Sequence, residues 1–138
     1  MFWEVIAITT LISALDVPSR NVELAMLELH AVERAIVKKT NQERAESGLP
    51  ALAIDPALMR SARRHATWMT RKRSLVHTSD PVAENIAMGQ RSSTEALRAW
   101  MNSSGHRANI LNRRYRRIGV AAYVAANGTI YWCQQFLE

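Results

Sequence analysis

The 138-residue chain has a single cysteine, Cys133, so no intrachain disulfide can form. If the protein is exported, its stability must come from packing, a bacterial habit more than one of small animal secreted domains. It also lacks an internal repeat, a low-complexity tract, and any apolar run near the roughly 20 residues that span a bilayer. Acids are in deficit, with twelve Asp and Glu against eighteen Lys and Arg, for a formal charge of +6. That balance favours anionic partners, namely nucleic acid, lipid headgroups or acidic cell-envelope polymers, and competes with a solvated basic face that has no dedicated partner. What is present is an ordinary globular balance, 48% hydrophobic and 22% charged. At this length one domain is expected, with a core that needs neither disulfide nor metal.

The most apolar stretch is MFWEVIAITTLISALDV at the start, which Pro18 and Ser19 end. It approaches a signal-peptide core in length, yet Glu4 stands where a positive charge belongs and no Ala-x-Ala site follows. Residues 1–20 are therefore read as an apolar leader or an extra N-terminal helix, and residues 21–138 as the domain proper.

From Asn21 the series Ala25, Leu29, Val32, Ile36 recurs at steps of three and four, predicting a helix that runs to Ser47, with Gly48 and Pro50 stopping it. Asp55 and Pro56 start a second helix, with Leu58, Ala62, Ala66 and Met69 on its buried face and Arg60, Arg63, Arg64 and Arg71 opposite. After Leu75 the periodicity lapses into a loop with one short strand near Glu84 to Ala87. A third helix from Ser93 or Thr94 passes through Leu97 and Trp100, and a helical turn follows at Arg107 to Leu111. The tail changes to period two: Ile118 to Val124 and Thr129 to Leu137 flank Asn127 and Gly128, a hairpin signal. Ile130, Trp132, Gln134 and Phe136 share one side. Helices packed on an antiparallel sheet are expected, an α+β fold.

Of four histidines, His30 and His65 fall mid-helix and read as locally bonded side chains. His77 and His106 fall in loops with Glu84 between them, and two imidazoles with a carboxylate suit zinc or a similar divalent ion. Their spacing matches no compact metal motif. Ser103 or Ser104 beside His106, with Glu84 orienting an imidazole, supplies the parts of a serine hydrolase, but no Gly-x-Ser-x-Gly elbow accompanies them. Cys133 reads as a buried, inert thiol in a strand. The cluster RRYRR, Arg113 to Arg117, invites phosphate contacts, but no nucleic-acid-binding motif goes with it.

Taken in order, TNQERAESGLPAL, SARRHATWM, LVH, AENIAMG, WMNSSGHRANILN, IGVAAY and YWCQQF resemble the SCP or CAP domain in its short bacterial branch, over about Val32 to Phe136. The resemblance implies a three-layer α-β-α sandwich with a C-terminal hairpin and a cleft that in some members binds a divalent metal. It places His77, Glu84 and His106 in that cleft as the metal-ligand set, with Ser103 at the position of a second acid. Ala83 stands where glycine is usual, and Thr40 at the histidine of a His-Asn-x-x-Arg motif whose Asn41 and Arg44 remain. Asn41, Arg44 and Gln134 are expected to be structural, and Asn85 to brace the backbone beside Glu84. The function implied is a secreted or envelope binding module. A hydrolase using the same cleft and a basic adhesion module are the alternatives, with lipid or anionic polymer as partner, zinc or another divalent cation as cofactor, nucleic acid not expected, and no transmembrane span.

Overall fold

The computed structural model describes residues 27 and 29–138. The leader, and the helix expected from Asn21 through Ala25, lie outside the described residues. The first described helix, α1, is Ala31–Glu46, with His30 at its N-cap, not in its interior. The buried Glu33 carboxylate explains this start: it accepts the His30 backbone N–H at 2.9 Å and two bonds from Arg63 at 2.8 and 2.6 Å. The helix ends as expected at Gly48, whose φ of 72° lets its N–H reach the Ala45 carbonyl while Leu49 N–H reaches that of Arg44.

A two-residue strand, β1 (Ala53–Ile54), leads into α2 (Pro56–Lys72). Asp55 caps α2, its Oδ1 accepting Leu58 N–H at 3.1 Å, and Pro56 fills the first helical position where no N–H is needed. There follow β2 (Ala83–Met88), α3 (Ser93–Met101) and α4 (Ser104–Ile110), the last starting earlier than the helical turn expected at Arg107. Strands β3 (Arg117–Val124) and β4 (Ile130–Leu137) form the hairpin.

The sheet order is β1-β3-β4-β2. The three longer strands pair antiparallel, as expected, but β1 joins β3 in parallel, so the sheet is mixed. No hydrophobic alternation in two residues could have announced that strand.

Side-chain alternation on the hairpin builds the three layers. Ile118, Val120, Trp132 and Phe136 pack with Ile36 of α1, Leu97 and Trp100 of α3 and Ile110 of α4. Ala121, Tyr131 and Cys133, on the other face, pack with Ala62, Ala66 and Met69 of α2 and Ile86 of β2. The architecture is the expected α-β-α sandwich. Strand β2 is a sheet edge, and two of its outward carbonyls are covered: Trp100 Nε1 donates to Ile86 O at 3.2 Å and Asn109 Nδ2 to Glu84 O at 3.4 Å. Among the described residues no helix is long and apolar enough to cross a membrane.

Two contacts fix the layers. Arg44 is fully buried and donates to four backbone carbonyls: Pro50 at 3.0 Å, Ile110 and Asn112 at 2.9 Å, and Tyr115 at 3.3 Å. Burial, and then the neighbouring Arg116, push its pKa down, but a guanidinium stays charged in any accessible range. Asn41 closes the same corner, its side chain accepting Leu52 N–H at 2.8 Å and donating to Leu52 O at 3.2 Å. Both side chains spend their polar atoms on the backbone of the segments around α1. The second contact is Gly119, over which α2 crosses so closely that an added Cβ would sit 2.2 Å from the Leu58 carbonyl carbon.

Arg44→Met should cost about 3 kcal/mol or more, because several buried carbonyls lose their donor together. Arg44→Lys should recover little of this, since an ammonium cannot fork among four acceptors. Urea unfolding midpoints measure both, and a lysine variant as stable as the parent would contradict the account. Gly119→Ala should cost about 3 kcal/mol, at the upper end of overpacking losses because backbone, not a flexible side chain, must move. The shift in thermal midpoint reports it.

Candidate functional site

The site forms where edge strand β2 meets the loop after α2 and the start of α4. Along β2 neighbouring side chains point to opposite faces, and Glu84 and Asn85, both buried, take opposite sides of the sheet. Glu84 lies across from Gln135 and faces the α2 layer, while Asn85 lies across from Gln134 and faces α4.

The Glu84 carboxylate is filled by donors. Its Oε1 bonds His77 Nδ1 and the Thr78 backbone N–H, each at 2.9 Å; its Oε2 accepts Gln135 Nε2 at 2.9 Å and the Cys133 thiol at 3.5 Å. Burial, followed by the charge of Glu84, raises the Cys133 pKa well above its ordinary value, so Cys133 is the inert thiol expected. A carboxylate can only accept, so His77 Nδ1 carries a proton, and in the neutral ring the lone pair is on Nε2. The His77 side chain is 61% exposed, so that nitrogen is accessible from solvent.

His106 enters from the opposite side of the strand. It sits in the first turn of α4, half-buried, and Asn85 Nδ2 donates to its backbone carbonyl at 3.1 Å. Its pKa lies below the ordinary 6.5, first because burial penalises the charged ring and second because His77 is near enough to repel it. Asn85 also belongs to a chain of amide hydrogen bonds that runs through the sheet to α1. Asn109 Nδ2 donates to Asn85 Oδ1 at 2.9 Å, Asn85 to Gln134 Oε1 at 3.0 Å, and Gln134 to Thr40 Oγ1 at 2.7 Å. Thr40 hands the chain to Ile36 O at 2.8 Å.

Other expectations fare differently. Ser103 is the N-cap residue of α4, and among the described residues its hydroxyl makes no hydrogen bond to the His106 ring. Among the described residues, too, no three His, Cys, Asp or Glu side chains form a ready-made metal cage, since Glu84 is turned to its own donors. The arginine cluster is partly spent on internal partners: Arg114 pairs with Glu138 at 2.7 Å and Arg117 with Asp55 at 3.2 Å.

His65, read as a locally bonded helix residue, bonds farther along the chain than that. Its Nε2 lies 2.7 Å from Val76 O and 3.9 Å from Glu84 Oε1, and its ring stacks on Trp68 at 5.8 Å. A carbonyl only accepts, so Nε2 is the protonated nitrogen, and the bond pins the loop that presents His77. One signal was available, because His65 follows buried Ala62 by three residues and so borders the buried face of α2. Asn109 had no such signal. A groove of about 450 Å³ runs beside His77, lined among others by His65, Trp68, Val76, Thr78 and Asp80.

The profile of the CAP family, described as the cysteine-rich secretory protein family, matches residues 37–136. The uncharacterized protein YkwD of Bacillus subtilis is 40% identical over 124 residues, covering 78% of this chain and 47% of that protein. The chain thus spans about half the length of this curated relative. Among solved structures, an extracellular protein containing an SCP domain from Bacillus anthracis is 28% identical with a TM-score of 0.69, over 77% of this chain and 40% of that one. NaASP2, solved with Zn2+, is 15% identical with a TM-score of 0.60, over 76% of this chain and 78% of its own. This chain belongs to the CAP, or cysteine-rich secretory protein, family and is a bacterial-type SCP-domain protein.

Proposed function

We propose that the protein is an extracellular or envelope binding module whose cleft takes a divalent cation such as zinc at His77 and His106. The observation that carries this reading is the 2.9 Å bond from His77 Nδ1 to a buried, fully engaged Glu84 carboxylate, which leaves Nε2 free and accessible. A carboxylate behind a ligating imidazole fixes its tautomer and raises its basicity. Glu84 is thereby an orienting group and not itself a ligand. His106, with its lowered pKa, is neutral at neutral pH and so has a lone pair to offer. A cation held by two imidazoles would keep open positions and supply Lewis acidity toward an oxygen-bearing ligand. The donor set fits a borderline-soft ion better than a hard one. NaASP2, of the same fold, has been solved with Zn2+, which supports the choice of ion to test first. Placement outside the cytoplasm draws support from the Bacillus anthracis structure, described as extracellular.

The hydrolase alternative draws no support from the geometry around Ser103, whose hydroxyl makes no hydrogen bond to a base among the described residues.

Calorimetric titration of the full chain with zinc should show one site. His77→Ala and His106→Ala should each abolish it, and Glu84→Gln should weaken it about 10- to 100-fold, as expected when a carboxylate behind a ligand is lost. Equal heats for the parent and both histidine variants would overturn the proposal. NMR titration of the metal-free protein should place the His106 midpoint below the ordinary 6.5, and His77→Ala should move it upward by removing a repelling charge. The linkage sign follows. The folded state binds fewer protons than the unfolded state between the His106 midpoint and the ordinary value, so stability falls as pH drops through that window and is unaffected above it. A midpoint unchanged by His77→Ala would show that the rings do not share a cleft.

A further inference from the structure

The outward side of α2 is more than a solvated basic face. Arg64, Trp68, Arg71 and Lys72 fall at steps of four, three and one, which aligns them on one stripe of the helix. Trp68 stands 42% exposed at the centre of that stripe, and the chain returns after the helix with Leu75 43% and Val76 48% exposed. Trp68 and Val76 line one groove, and Trp68 lines another with Arg71 and Lys72, so apolar and cationic side chains form one continuous surface. It is held in shape: the His65 ring backs the indole, and His65 Nε2 holds the Val76 carbonyl.

Two observations indicate what this surface meets. The first is its charge. Asp80 is the acid beside it and is spent on Arg64 at 3.5 Å, whereas among the described residues Arg71, Lys72 and Arg73 have no carboxylate partner. The second is the helix end. Arg73 adopts the left-handed conformation, φ 50° and ψ 45°, at the position where glycine is the ordinary choice. The chain accepts backbone strain there and keeps a cation in place of a glycine.

We infer that this surface docks on a lipid bilayer containing anionic phospholipid. Trp68, Leu75 and Val76 enter the interfacial layer, and Arg71, Lys72 and Arg73 lie against the headgroup phosphates. An exposed tryptophan flanked by aliphatic side chains and ringed by long cations is the composition that suits a water-lipid boundary, where indoles settle and arginine and lysine stems extend toward phosphate. A soluble polyanion would satisfy the cations but leave the three apolar side chains in water, so the apolar component separates the two partners.

The test is co-sedimentation of the full chain with vesicles of phosphatidylcholine alone and of phosphatidylcholine mixed with phosphatidylglycerol. Binding is expected to the mixed vesicles, weakened by salt. Trp68→Ala should lower the partition coefficient about tenfold through lost apolar burial. Arg71→Glu with Lys72→Glu should lower it at least tenfold, each cation near an anionic surface being worth about fivefold. Leu75→Ser with Val76→Ser, in the loop, gives an independent pair of variants should Trp68→Ala disturb the helix, and circular dichroism melting checks each fold. Arg73→Gly should raise the melting midpoint while weakening vesicle binding about fivefold. The inference fails if Trp68→Ala and the loop pair bind mixed vesicles as the parent does, whether the apolar leader or charge alone then accounts for binding. It also fails if polyphosphate is bound as tightly as the vesicles with no dependence on Trp68, which would identify a polyanion surface.

Discussion

A strand at the edge of a sheet must send alternate side chains to opposite layers, and in this protein two consecutive residues of such a strand are polar and buried. The side chains of Glu84 and Asn85 cannot share partners, because the sheet stands between them. Each therefore recruits its own: Glu84 gathers His77, Thr78, Gln135 and Cys133, while Asn85 gathers Asn109, Gln134 and the His106 carbonyl. Burying an unpartnered polar group costs enough that these bonds dictate where the loop after α2 and the start of α4 must lie. The loop carrying His77 and the helix carrying His106 are thus anchored to β2 from its two faces.

Satisfying backbone carbonyls is the second theme. Arg44 serves four, at the end of α4, in the turn beyond it and in the loop after α1, and so joins segments more than sixty residues apart in sequence. Asn41 treats Leu52 as a strand neighbour would, donating and accepting at once. Trp100 and Asn109 close the open edge of β2. A chain without disulfides thus holds its loops with side-chain to backbone bonds, and the cleft sits on ground that is already organised. The basic stripe on α2 shares that support through His65, which contacts both the loop carrying His77 and the indole of Trp68.

Much of this was legible in the sequence. Gly48 and the pair Asp55-Pro56 are strong local punctuation, and their conformations depend on neighbours a few residues away. Period-two alternation around Asn127-Gly128 announced the hairpin and its two faces. What resisted was non-local. The two residues of β1 carry no pattern, and the partner that makes them a strand lies past residue 116. The start of α4 at Ser104 was hidden by serines and a glycine, residues that local propensity assigns to turns.

For the site, residue type alone singled out the two histidines and Glu84 between them, and the motif resemblance set them, with Asn85, in one candidate cleft. Neither could tell that Glu84 spends both oxygens on internal donors, or that His65, drawn from an ordinary helix pattern, would reach the same carboxylate's surroundings. The amino-acid sequence by itself determined which segments become helix or strand and which faces they bury, since periodicity and capping act over a few residues. The tertiary structure alone decided which polar groups meet, because the number of donors around a buried carboxylate depends on segments that only packing brings within 3 Å.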